Sequence, residues 1–330
     1  MLFRSPDAES GEKISYFYCK GGVSRALGLC DQLRAVSFEH GDVSVGVVVA
    51  GCLVLAPMLW AAFGAEGFAR WTERLPMWCR VAAPGLLCVV YALVARGIFE
   101  WRWFAVYLLL PVAVAAMLAW AARKDPEQSG DWREFVVLLV LGLAVDLRWF
   151  EPGWPRGMAV FNKIVLLDAG IWGFGVVRRL EGVGFDLRLR ARDLRVGLRE
   201  FCFYVPVAIA LGLALGFLHV HAQWPQGWRL PVALVFTFFF IAVPEELFFR
   251  GWMQNLLERR VGRGWALAVT AVLFGLSHFN KRAVHFNWKY VVLAAIAGVF
   301  YGRAWRQERR VGASVVTHTL VDTVWSMWLR

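Results

Sequence analysis

Residues 230–252 read LPVALVFTFFFIAVPEELFFRGW, an apolar run whose only charged side chains are Glu245, Glu246 and Arg250. A run of this length suits the roughly 20 residues that a helix needs to cross a bilayer. Charged groups placed in hydrocarbon are rare and normally face a bundle interior or a wet cavity, which marks this helix for function. Glu246 and Arg250 stand at i and i+4, on one face, where they can pair. Glu245 lies about 100° away around the helix and is freer to act on a substrate or on water.

The rest of the chain agrees with a membrane setting. Of 330 residues, 59% are hydrophobic and 18% charged, and the mean hydropathy is +0.52, values that exclude disordered, collagenous and coiled-coil readings. Residues 43–64 and 103–122 contain no charged side chain, so each reads as a spanning helix. Further helices are predicted near 81–99, 134–150, 158–178, 200–220, 230–257, 264–280, 288–305 and 311–329. The fold class is therefore all-α, a polytopic membrane protein with eight to ten transmembrane helices. Within 158–178, Lys163 and Asp168 are expected to pair.

The net charge of +11 does not signal nucleic acid, because the basic residues fall between apolar runs and no separate basic domain is formed. Their strongest cluster, Arg178, Arg179, Arg188, Arg190, Arg192, Arg195 and Arg199, predicts a cytoplasmic side. The basic loops at Arg259, Arg260 and Arg263 and at Arg303, Arg306, Arg309 and Arg310 are expected on that same side. Residues 281–289, with Lys281, Arg282 and Lys289, are more basic than a loop on the far side should be. The expected organisation is a polar tail over 1–42, transmembrane helices over 43–180, an Arg-rich amphipathic connector over 181–199 and a catalytic transmembrane core over 200–330. The tail is not a signal peptide, since it lacks a basic start and an apolar centre. Cys19, Cys30, Cys52, Cys79, Cys88 and Cys202 are scattered, with neither a disulfide framework nor a zinc-knuckle spacing.

Chemistry concentrates after the connector. Phe274 and His278 lie one turn apart in FGLSHF, and His318 and Asp322 share that spacing in VVTHTLVD. A carboxylate with two imidazoles is what hydrolysis inside a membrane requires, a base for water and donors for the oxyanion. His219, His221 and His285 lie in or near loops and read as interfacial residues.

In this order EExxxR (Glu245, Glu246, Arg250), FxxxH (Phe274, His278) and HxxxD (His318, Asp322) resemble the signature of the CPBP intramembrane proteases. These are the CAAX protease and bacteriocin-processing, or Abi, family, which includes the Ras-converting CAAX prenyl endopeptidase. The resemblance covers about residues 200–330 and implies a CPBP-like catalytic helical core. It implies that Glu245 and His278 activate the attacking water, that Glu246 and Arg250 support the site, that Phe274 supports the substrate site, and that His318 with Asp322 stabilises the oxyanion. The family's last motif usually ends in Asn. The residues alone leave His278 and His318 open between base partner and oxyanion donor. An ionised Asp322 would repel an oxyanion, so it either orients His318 or is protonated.

The function so implied is an intramembrane endopeptidase acting on a membrane-associated protein or peptide, of CAAX, peptide-maturation or carboxy-terminal sorting-tail type. Its partners are that substrate and the lipid bilayer, in the bacterial cytoplasmic membrane, with no nucleic acid. The rivals are a membrane scaffold or bacteriocin-immunity protein and a proton-coupled transporter. No cofactor is expected. Zinc is the alternative, since Glu245, His278 and His318 could supply the three protein ligands of a catalytic site, but no HExxH pair is present, no Cys is near, and Arg250 would repel a divalent cation.

Overall fold

The computed structural model describes residues 45–155, 158–220, 227–281 and 285–329. The tail over 1–42, Cys19, Cys30, His221 and Arg282 lie outside the described residues. The described chain is all-helical, with no strand among these residues. We number the helices α1 (Val45–Phe63), α2 (Ala65–Glu73), α3 (Met77–Val94), α4 (Trp101–Lys124), α5 (Trp132–Asp146), α6 (Ala159–Val177), α7 (Ala191–Ala214), α8 (Arg229–Val261), α9 (Arg263–Leu276), α10 (Trp288–Glu308) and α11 (Val311–Trp328).

Five of them, α3, α4, α6, α7 and α8, are long and apolar enough to cross a membrane, and α1 with α2 makes a sixth if this pair, bent by 102°, counts as one span. This is below the eight to ten expected. The reason is local: α5 and α9 have 15 and 14 residues, while α10 carries Lys289, Arg303 and Arg306 and α11 carries His318, Asp322 and several hydroxyl side chains.

One expectation is corrected below. Within 181–199, residues 181–190 run without helix and α7 begins at Ala191, where the Asp193 side chain accepts from the Arg190 amide at 2.9 Å. Lys163 and Asp168 form no ion pair: both Asp168 carboxylate oxygens are buried without a hydrogen-bond partner. Five residues of α-helix carry two side chains about 140° apart, so a pairing along the helix was never geometrically open to them.

The basic loops converge on one end of the bundle. Arg310, just before α11, donates to Asp193 at 3.0 Å and to Asp186 at 2.9 Å. Arg259 at the end of α8 donates to the Glu181 carbonyl at 2.6 Å, and Arg178 after α6 donates to Glu134 at 2.5 Å and Asp125 at 3.0 Å. At the opposite end, Asn280 donates to the Asp146 carbonyl at 3.0 Å and Lys289 to the Leu215 carbonyl at 2.6 Å. Lys289, at the end of the unexpectedly basic 281–289 stretch, is thus spent on a backbone carbonyl of the protein. Helices α7, α9, α10 and α11 pack side by side and, with α8, enclose the motif residues.

Candidate active site

Helix α8 is irregular where its charges sit. Pro244 has no N–H to give to the preceding turn, and the residues before it, Phe238–Ala242, form a π-helical segment; a second one covers Leu247–Gln254. Such widened turns are common at functional sites, since they re-aim the side chains that follow.

Glu246 and Arg250 are both fully buried, and Arg250 Nη1 donates to Glu246 Oε1 at 3.1 Å. Its Nη2 donates to the Gly298 carbonyl of α10 at 3.0 Å. Aromatic faces complete the enclosure, with the guanidinium 4.6 Å from the Phe274 ring centroid and 5.3 Å from that of Tyr301, contacts that gain strength in a dry interior. Phe274 therefore braces the arginine and also edges onto His318, at 5.8 Å between centroids.

Histidine 318 joins the same cluster from α11. Its Nδ1 donates to Glu246 Oε1 at 2.8 Å, while Nε2 lies 3.4 Å from Asp322 Oδ2 and 3.9 Å from Glu245 Oε2. Tyr301 stacks on the ring at 4.6 Å. The imidazole is thus surrounded by three carboxylates, and both its nitrogens face acceptors. Glu245 has a different setting from its neighbour: 23% of its side chain is exposed, Oε1 lies 3.6 Å from Lys281 Nζ, and Oε2 is buried without a hydrogen-bond partner.

Histidine 278 comes from beyond α9, which ends at Leu276 and not near residue 280. The Phe274 carbonyl, which a continuing helix would give to the His278 amide, is taken by Ser277 Oγ at 2.8 Å and by His278 Nδ1 at 2.8 Å. The amide of His278 bonds Gly275 instead, at 3.0 Å. Side chains satisfy the orphan carbonyl and stop the helix. Because Nδ1 meets a carbonyl oxygen it must carry the proton, which leaves Nε2 as the acceptor nitrogen in the neutral ring. Both His278 and His318 lie within electrostatic reach of Glu245. A close approach of α9 and α10 makes this possible: a Cβ on Gly275 would sit 2.5 Å from the Val291 carbonyl oxygen.

His278, His318 and Asp322 form part of the wall of a pocket between α7, α9, α10 and α11, otherwise lined mostly by apolar side chains such as Val205, Ile209 and Leu293. The motifs thus meet across three helices and one turn. His219 and His285 are exposed in loops, and Cys52, Cys79, Cys88 and Cys202 are free. Among the described residues no group of three or more His, Cys, Asp or Glu side chains is arranged to hold a metal ion. The ammonium of Lys281 beside Glu245 and the guanidinium of Arg250 beside Glu246 are also poor company for one.

Reading the motifs alone missed Lys281, Tyr301 and the Gly298 carbonyl. Lys281 follows His278 by three residues, a spacing that could have drawn attention to it; nothing local singles out the other two.

Residues 225–324 match the family model of the type II CAAX prenyl endopeptidase Rce1-like proteins. The matched stretch holds every motif residue, Glu245 through Asp322, and agrees with the CPBP resemblance. No curated protein and no solved structure matches the chain. The match supports a membrane endopeptidase kind of function, carried by an integral membrane protein with several apolar helices.

Proposed function

We propose that the protein is an intramembrane endopeptidase that hydrolyses a peptide bond of a membrane-associated protein or peptide with water activated by Glu245 and His278. The observation that carries the reading is the unequal setting of two adjacent glutamates. Glu246 is fully buried and accepts from both Arg250 and His318 through Oε1, whereas the Glu245 side chain is 23% exposed and stands only within ion-pair range of Lys281 and His318, at 3.6 and 3.9 Å. A carboxylate that is placed at such cost and left free is a base waiting for a proton.

In this mechanism the water oxygen attacks the scissile carbonyl carbon and its proton passes to Glu245 Oε2. His278 orients the water through the acceptor Nε2. The developing oxyanion accepts a hydrogen bond from His318 Nε2, whose ring is held by Glu246 at Nδ1 and by Tyr301 on its face. Asp322 orients His318. Collapse of the tetrahedral intermediate breaks the C–N bond, and Glu245 returns its proton to the leaving amine. No step requires a metal. The apolar pocket beside His278 and His318 receives an apolar portion of the substrate. Helices α10 and α11 count as further spans in this reading, which takes 200–330 as the catalytic unit and the bacterial cytoplasmic membrane as its site.

The test is proteolysis by the purified protein in lipid nanodiscs. Three substrates are offered, a farnesylated CAAX peptide, the same peptide without the lipid, and a single-span helix with a carboxy-terminal tail, and products are identified by mass spectrometry. A defined cleavage that Glu245→Gln abolishes is expected. Absence of cleavage in all three, or cleavage undiminished in Glu245→Gln, refutes the reading.

A further inference from the structure

Lys281 lies outside the three motifs, yet its ammonium is the nearest cation to one oxygen of Glu245. The distance from Nζ to Oε1 is 3.6 Å, and the lysine side chain is 32% exposed. Its backbone is held on several sides. The Lys281 amide donates to the His278 carbonyl at 3.2 Å, its own carbonyl accepts from Asn287 Nδ2 at 3.1 Å, the neighbouring Asn280 side chain is tied to Asp146 at 3.0 Å, and the Asn287 amide donates to the Phe279 carbonyl at 2.8 Å. This loop needs no ion pair to keep its place, and a partly exposed pair adds little stability in any case. The lysine is therefore dispensable for folding and well placed for something else.

Glu245 stands between two groups that compete for it. Lys281 holds Oε1, while His318 Nε2 lies 3.9 Å from Oε2. Asp146 of α5 and Lys163 of α6 are within electrostatic reach of the same carboxylate and ammonium. Both of these belong to the part of the chain that precedes the family match. Without the ammonium at Oε1, the carboxylate is left with His318 as its closest donor and turns toward it. That contact occupies the bare oxygen of the base.

We infer that Lys281 is a positioning residue, which holds Glu245 by one oxygen so that the other stays bare for water. The inference rests on the hydrolytic reading proposed above. It predicts a loss confined to the chemical step, since the lysine does not line the apolar pocket that takes the substrate.

The experiment measures kcat and KM on the single-span substrate in nanodiscs for the wild-type protein, Lys281→Met, Lys281→Arg and Glu245→Gln, with thermal melting of each. Expected are a fall in kcat of about 10- to 100-fold for Lys281→Met, smaller than the about 10²–10⁴ carried by a general base itself, an unchanged KM and melting temperature, and substantial recovery in Lys281→Arg. Full turnover by Lys281→Met while Glu245→Gln is dead overturns the inference and leaves the proposed function standing. A fall that Lys281→Arg does not rescue, or one that tracks a lowered melting temperature, overturns it as well. Undiminished turnover by Glu245→Gln overturns both, because Lys281 would then be holding a carboxylate that is not the base.

Discussion

The two halves of the molecule bury polar side chains in opposite ways. Between α4, α6 and the segment before α6, Trp154 donates to the Tyr107 hydroxyl at 2.7 Å and that hydroxyl donates to Asn162 at 2.6 Å. All three side chains are buried, and Tyr91 stacks on the Tyr107 ring at 5.2 Å. Between α8 and α11, Glu246, Arg250 and His318 are equally buried, but their network leaves one oxygen each of Glu245 and Glu246 without a hydrogen-bond partner, next to a pocket that His278, His318 and Asp322 help to line. A satisfied buried network stabilises and specifies a packing, whereas one that stops short leaves groups able to act. Asp168, buried in the first half with neither oxygen partnered, departs from this division, and nothing in the structure explains it.

If the contrast is right, perturbing the open network costs turnover and perturbing the closed one costs stability. Glu245→Gln and His278→Ala should each reduce turnover by about 10²–10⁴, the usual contribution of an acid–base group, with melting behaviour close to wild type. A loss of only a few-fold in either would erase the distinction. Arg250→Ala tests the junction between the two behaviours, since it strands Glu246 in the interior. Destabilisation of about 3–5 kcal/mol is expected, as for a broken buried pair, accompanied by loss of activity; a variant that melts normally would show that Glu246 is not held by charge. Tyr107→Phe removes the central hydroxyl of the closed chain and should cost about 1–3 kcal/mol through the two partners it strands. Here kcat must stay unchanged, and a catalytic defect would count against the division.

The smallest effect concerns the arginine end. Burial pushes the Asp186 carboxyl up, but hydrogen bonds from Arg188 and Arg310 together outweigh it and hold the group well below the ordinary carboxylate range. A carboxylate depressed in the folded state contributes stability that is complete above its unfolded value, near pH 4, and is lost as pH falls through the folded value. Melting temperature should therefore fall on acidification below about pH 4, and Asp186→Asn should melt lower at neutral pH and show a shallower acid limb. Identical acid limbs in the two proteins would remove Asp186 from the account.

How far the residues themselves foretold this site differs from group to group. The i, i+4 pairs Glu246 with Arg250 and His318 with Asp322 follow from helical period, which is local, and both are found at pairing distance. The position of His278 does not follow so simply, since extending α9 to residue 280 overlooks Ser277 and His278 turning back on the Phe274 carbonyl. Lys281 was legible only as a topological oddity, because its inward turn depends on Asn280 reaching a carbonyl of α5 far away in the chain.

Composition and apolar run length sufficed for an all-helical membrane chain, because in lipid a spanning segment must satisfy its backbone internally and helices do so from local sequence. The order of the motifs sufficed to mark the stretch that the family model matches. Which glutamate accepts the hydrogen bond of His318 required the packing of α11 against α8, since His318 Nδ1 reaches Glu246 and not Glu245. Adjacent residues on a helix are chemically alike until other elements arrive on one side of them. The partners here are supplied by α10, α11 and the turn after α9, and the hydrogen bonds that bring them to α8 leave no periodic trace in the chain.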